Sequence, residues 1–146
     1  MRNNRTLLNL KLHNNEIGDE GATHLGSMLL SNTTLQSLNI QANRISAAGA
    51  RGLASGLWEK CHLKALWMGE NVIQNEGVIH VARALAMNRS LVSLHIRDSS
   101  VTNAGLKLVA TALRRNTTLQ KLCIGPIKKC TKKIEQFSEG LWWVCE

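Results

Sequence analysis

The sequence predicts an α/β solenoid, in which short parallel strands line the concave side of a curved array and helices line the convex side. Three observations predict this fold. The chain repeats every 28 residues without gaps, each repeat opens with apolar residues at strand spacing, and each continues with apolar residues at helix spacing. One repeat cannot bury its own apolar side, so neighbouring repeats must stack.

The strand half of each repeat begins with a leucine, and this leucine occurs five times, at Leu7, Leu35, Leu63, Leu91 and Leu119. A second apolar position follows three residues later, and a third follows two residues after that. Residues two apart on a strand point to the same side, so these two positions face the core. The residue between them faces outward.

The helical half contains a recurring glycine, followed four and eight residues later by aliphatic residues, as in Gly77, Val81 and Leu85. Ser46 and Thr102 lie three residues before this glycine in their repeats, and both are good N-cap residues. They predict the residues at which two of the helices begin.

An asparagine follows the strand in the first three repeats, at Asn15, Asn43 and Asn71. Its side-chain amide can satisfy backbone groups where the chain leaves the strand, including groups of a neighbouring repeat. We therefore expect these residues to form a structural ladder.

A second set of asparagines ends the helices, each within an Asn-x-Ser/Thr sequence: Asn32, Asn88 and Asn116. Asparagine tolerates the left-handed backbone that closes helices, and we expect that conformation here. The repeat, rather than glycosylation, then explains these motifs.

The fifth repeat is interrupted at Pro126. From Ile127 to Val144, apolar residues recur at spacings of three and four, opposite a face that carries four lysines. The sequence therefore predicts repeats over 1–125 and an amphipathic capping helix or tail over 126–146. A basic helix with two adjacent tryptophans would also suit an anionic membrane surface or a helix-binding partner.

Composition narrows the functional classes. The 146 residues are 44% hydrophobic, and no apolar run approaches the roughly 20 residues of a membrane span. The polar start of the chain does not resemble a signal peptide, so we expect a soluble, cytoplasmic protein with reduced cysteines.

The four cysteines lack metal-site spacing, and we expect no metal or cofactor. The net charge of +8 comes mostly from scattered residues, so we expect neither nucleic acid nor a membrane as the partner.

These repeats resemble the leucine-rich repeat family, in particular its ribonuclease-inhibitor-like subclass. The segment from Leu7 to Ile17, LLNLKLHNNEI, carries the resemblance together with the Gly21-Ala22 that follows, and the likeness extends over roughly residues 5–124. The repeats look most like those of cytosolic NOD-like receptors. The resemblance implies a recognition or autoinhibitory surface, in an innate-immune sensor or a related intracellular regulator.

The outward-facing residues of the predicted sheet and its loops form the candidate partner-binding surface: Lys11, His13, Asn39, Gln41, Trp67, Glu70, His95, Arg97 and Asp98. The column through Trp67 continues to Cys123. Trp67 lies between Leu66 and Met68, and an outward tryptophan beside a histidine and an arginine is typical of a binding hot spot. The alternative is that Trp67 merely covers its neighbours.

No catalytic motif occurs in the sequence, so we expect a non-catalytic protein that recognises a protein partner. One alternative is a nucleic-acid or anionic-surface binder that acts through its basic residues. Another is an assembly module. Six residues before Leu7 are too few to form a capping unit. The first core layer would therefore lie open: Leu7, Leu10, Leu12, Ile17, Leu25 and Leu29. We therefore expect a fragment of a longer array, or a homodimer through this end.

Overall fold

The computed structural model describes residues 4–58, 61–97, 99–125 and 143–144. Its elements, in chain order, are β1 (Asn9–Lys11), α1 (Gly18–Leu29), β2 (Ser37–Asn39), α2 (Ala47–Ala54), β3 (Ala65–Trp67), α3 (Gln74–Met87), β4 (Ser93–Arg97), α4 (Asn103–Leu113), β5 (Lys121–Gly125) and β6 (Trp143–Val144). The strands form one parallel sheet in chain order. The predicted α/β solenoid is confirmed.

The strands pair at the 28-residue offset of the repeat, so equivalent residues lie side by side. Leu38 pairs with Leu66, and Leu66 pairs with Leu94. All three leucines are fully buried, in a core that also contains the aliphatic side chains of the helices. The sheet therefore has one face on this core and one face turned away from the helices.

The repeats alternate in how their helices begin. Ser46 and Thr102 cap α2 and α4, since their hydroxyls accept bonds from the N–H groups two residues later, as predicted. In α1 and α3 no side chain caps the helix, and the first residues, Gly18 and Gln74, have positive φ. The structural unit is thus a pair of repeats: a first repeat pair (residues 7–62) and a second repeat pair (residues 63–118).

Asparagine side chains connect successive repeats on the strand side. Asn71 donates from Nδ2 to the carbonyl of Ile40, in the preceding repeat, at 3.0 Å. Its Oδ1 accepts from the backbone N–H groups of Asn43 and Ile45 at 2.9 and 3.0 Å. Asn43 reaches back to Leu12 in the same way, at 2.8 Å. Asn15, at the start of the array, is exposed and donates to carbonyls of its own loop.

A second set of bonds corrects one prediction. Asn88 has φ −69° and ψ 139°, which is extended rather than left-handed, and neither Asn32 nor Asn116 has a positive φ. These asparagines are buried, and Asn88 donates to the carbonyl of Leu57 at 2.7 Å while accepting from the Leu91 N–H at 2.7 Å. The side chain connects two repeats, and this needs no left-handed backbone.

The first core layer is partly open, as expected. Five of its residues are only partly buried: Leu7, Leu10, Leu12, Ile17 and Leu25. Leu29 was expected to be open as well, but it is 2% exposed, because α1 packs closely against α2.

Most of the predicted C-terminal helix lies outside the described residues. Trp143 and Val144 are described, and they form a strand rather than a helix. This strand pairs in parallel with Lys121 and Leu122 of β5. The pairing satisfies backbone groups that the edge of β5 would otherwise expose. The boundary at residue 126 stays a prediction.

Candidate functional site

The candidate site is the concave face, which we define as the side of the sheet turned away from the helices. Its central row crosses the sheet in register from Lys11 through Asn39, Trp67 and His95 to Cys123. Lys11 is exposed, and Asn39, Trp67 and His95 are partly buried. The fully buried leucine column on the opposite face follows from the two-residue period of the strands.

Trp67 and His95 form a stacked pair at the centre of this row. Their ring centroids are 5.3 Å apart and their planes are inclined by 21°. The strand register places the two residues directly opposite each other on β3 and β4. Side chains in such cross-strand pairs interact and stabilise each other's position.

Ser93 orients the histidine of this pair, and the sequence analysis did not single it out. Its Oγ lies 2.9 Å from Nε2 of His95. The signal was present in the sequence, because residues two apart on a strand share a face. The hydrogen bond holds the imidazole plane against the indole.

Positive charge surrounds the pair. Burial, and then the charges of Lys121 and Arg97, lower the pKa of His95. The lowered pKa favours the neutral form of the imidazole. Lys121 and Arg97 give this part of the concave face a positive potential.

A second row follows the strands. His13 and Glu70 are exposed, and Gln41 lies between them with its Nε2 3.5 Å from Oε1 of Glu70. Arg97 is partly buried, and its carbonyl accepts from the Glu70 N–H at 2.7 Å. The predicted site residue Asp98 lies outside the described residues.

The close approach of two loops in this row depends on Gly69. A Cβ at Gly69 would lie 2.7 Å from the carbonyl oxygen of Arg97, closer than such atoms can pack. The glycine thus lets the third and fourth repeats meet tightly beside the stacked pair.

Cys123 departs from the prediction. The sequence placed it in the exposed column, but it is only 1% exposed. β6 pairs with β5 through Lys121 and Leu122, and the exposed column ends before the buried Cys123. The accessible central row therefore extends from Lys11 to His95.

The arrangement offers groups that can bind a partner. A flat aromatic pair can pack against an apolar group, and nearby cations can attract an anion. Within the described part of the chain, no three metal-ligating side chains come together, and no helix is long and apolar enough to cross a bilayer.

The solved structures that share this fold include the following two. One, described as leiomodin-1 actin-binding site 2, is 23% identical with a TM-score of 0.74, and the match covers 84% of this chain and 72% of the other. The other is the tropomodulin C-terminal domain of Caenorhabditis elegans, 18% identical with a TM-score of 0.72, and the match covers 83% of this chain and 75% of the other. No curated protein has a significantly similar sequence.

The family itself is identified by its repeat. The leucine-rich repeat pattern matches residues 3–26, 31–54, 59–82 and 88–110, which together make up more than half of the chain. Domains of this family and fold are generally non-catalytic binding domains. The four matched segments follow the same repeat that orders the strands, the helices and the asparagine ladder, and the chain belongs to the leucine-rich repeat family.

Proposed function

We propose that this chain is a non-catalytic scaffold that binds a protein partner through its concave face, with the stack of Trp67 on His95 as the anchor. The observation that carries this proposal is the stack itself. It is a partly exposed aromatic pair, held by strand register and by Ser93, on the face of the sheet that helices α1–α4 leave uncovered. Tryptophan is enriched at the residues that dominate binding energy.

The size of the concave face determines how many residues outside its central row must contribute to the binding surface. Five strands about 4.8 Å apart span about 20–25 Å. A standard protein interface needs about 800 Å² on each partner, which is more than one row of side chains supplies. The loop residues His13, Gln41 and Glu70 therefore belong to the proposed surface.

The structural neighbours suggest one partner to test. The leiomodin-1 structure is described as an actin-binding site. At 23% identity the likeness supports the fold, so actin is a candidate and not an assignment. The predicted relation to the ribonuclease-inhibitor-like subclass, to NOD-like receptors and to an innate-immune role stays a prediction.

The test is affinity capture from a cytosolic extract, followed by direct binding to purified actin and to each captured protein. Trp67→Ala removes the anchor. Trp58→Ala is the matched control, because Trp58 is 50% exposed and lies after α2, outside the sheet. We expect to capture a partner whose binding survives nuclease and moderate salt. Trp67→Ala should weaken this binding at least tenfold, and Trp58→Ala should leave it unchanged.

Other results would favour the alternatives. Capture of nucleic acid that disappears with salt and ignores Trp67→Ala would indicate binding through scattered basic residues, since phosphate contacts weaken steeply with salt. A molecular mass that rises with protein concentration, with no partner captured, would favour the assembly module that pairs through the open first layer.

A further inference from the structure

The described part of the concave face carries more positive than negative charge. Its cations are Lys11, Arg97 and Lys121, and its carboxylate is Glu70. Counting Asp98, which the sequence places beside this face, leaves the cations in the majority. The concave face is therefore complementary to an acidic partner.

The charge is concentrated beside the aromatic pair. Arg97 and Lys121 lie on β4 and β5, and both act electrostatically on His95. Lys11 lies on β1, four strands from Lys121, or about 19 Å across the sheet. Between Lys11 and the aromatic pair lies β2, whose outward-facing residues Ser37 and Asn39 carry no charge.

This distribution favours a polypeptide over a nucleic acid. A nucleic acid presents closely spaced phosphates and is bound through a continuous track of cations. Here two cations flank an aromatic patch, and the third is isolated. Such a pattern fits a segment with one large apolar side chain and carboxylates on either side of it.

We propose that the concave face selects an acidic protein segment, in which an apolar or aromatic side chain packs against Trp67 and His95 while flanking carboxylates face Lys121, Arg97 and Lys11. The inference rests on the proposed function of the same surface and adds the chemical class of the partner.

A library of random 12-residue peptides displayed on phage provides the probe, selected on the whole chain. We expect the selected peptides to be rich in Asp and Glu around a large apolar residue. The charge-reversal variant is Lys11→Glu/Lys121→Glu, because the side chains of both lysines are exposed. Arg83→Glu/Lys107→Glu is the matched control, with the same change of charge at exposed residues of α3 and α4.

The charge reversal should lower the affinity of the selected peptides about tenfold. Each exposed charge pair contributes little, but the reversal replaces each attraction with a repulsion. The control pair should change the affinity less than twofold. Glu70→Lys should strengthen binding, because it removes the carboxylate from this face.

Three results would overturn the inference. The selected peptides could show no acidic preference, the reversal could weaken them no more than the control pair, or a 12-nucleotide single strand could displace them at lower concentration than an acidic peptide. Trp67→Ala separates this inference from the proposed function. If that variant abolishes binding but charge reversal does not, the concave surface stands and only its acidic preference fails.

Discussion

The two repeat pairs share one backbone plan but pack their helices differently. In the first pair, a Cβ at Gly26 of α1 would overlap the carbonyl oxygen of Gly52 and lie 2.9 Å from the Cα of Leu53, so α1 and α2 touch through their backbones. In the second pair, 56 residues later, Ala82 replaces Gly26 and Leu108 replaces Gly52.

These replacements leave a groove between α3 and α4. Its volume is about 390 Å³, and its apolar lining includes Ala82, Ala86, Leu108 and Ala112. Ala112 occupies the position of Gly56, where a Cβ would overlap the carbonyl of Gly26 in the first pair. The comparison shows that side-chain volume at three repeat positions decides whether adjacent helices close on each other or leave a groove.

The two pairs also differ in the contact that joins the N-termini of their helices. In the first pair, the carboxylate of Asp19 accepts from the backbone N–H of Ser46 at 2.7 Å and from its hydroxyl at 2.6 Å. In the second pair, the Asn75 amide accepts from the Thr102 N–H at 3.0 Å and donates to its hydroxyl at 2.8 Å. The bonds have equivalent positions, but only the first depends on a titratable group.

The largest expected effect comes from the close helix contact. Gly26→Ala should lower the free energy of unfolding by about 2–3 kcal/mol, because the new methyl group meets backbone atoms that cannot move independently. Ala82→Gly, at the equivalent position, should lower it by no more than about 1 kcal/mol, mainly through helix propensity. Urea unfolding of both variants measures the difference. Equal losses would mean that the glycines do not determine the packing.

A smaller effect of opposite sign is expected from filling the groove. Ala86→Leu should raise the free energy of unfolding by about 0.5–1 kcal/mol, since Ala86 is partly buried and a larger side chain can cover the apolar lining. The matched variant is Leu30→Ala at the equivalent position of the first pair, which is 62% exposed. It should change stability by less than about 0.5 kcal/mol. Destabilisation by Ala86→Leu would show that the groove does not accept the added side chain.

The smallest effect is a pH dependence confined to the first pair. The hydrogen bond from the Ser46 hydroxyl, supported by backbone N–H groups of Ser46 and Gly49, lowers the pKa of Asp19 below its ordinary value. Its stabilisation is therefore complete above the unfolded pKa of about 3.9, and is lost as the pH falls through the lower pKa of the folded state. We expect Asp19 to contribute about 0.5 kcal/mol to the free energy of unfolding, because its carboxylate is only partly buried.

Asp19→Asn provides the check, by urea unfolding at pH 7 and at pH 2.5. The variant should lose less stability than the parent chain on acidification. Asn75→Asp should add an acid-sensitive contact to the second pair. An unchanged pH profile in Asp19→Asn would assign the acid sensitivity to other carboxylates.

The repeat made the fold predictable, whereas the pairing of repeats was not recognised. A 28-residue period fixes which residues face the core, so the buried leucines and the parallel sheet follow directly. Ser46 and Thr102 recur 56 residues apart, and this spacing was the available sign that repeats alternate. The backbone gives no further sign in the sequence, because the positive φ angles before these caps occur at Arg44 and Ser100 and not at glycines.

The candidate site was partly accessible to sequence reasoning. Strand alternation predicts that Trp67 and His95 share a face, and the structure stacks them. The burial of Cys123 does not follow from the repeat, because the equivalent residues of the other strands are exposed or partly buried. The extended backbone at Asn88 was missed because its side chain bonds a carbonyl 31 residues earlier, a contact that local preferences do not reveal.

The asparagine bonds restrict how such a chain can change in length. Asn43, Asn71, Asn88 and Asn116 each donate to a carbonyl 31 residues earlier. A one-residue deletion inside a repeat would misalign the bonds that cross it, whereas a duplicated repeat pair of 56 residues would preserve their spacing. The ladder thus favours evolution by duplication of whole repeats, and an engineer who lengthens the array should insert complete units.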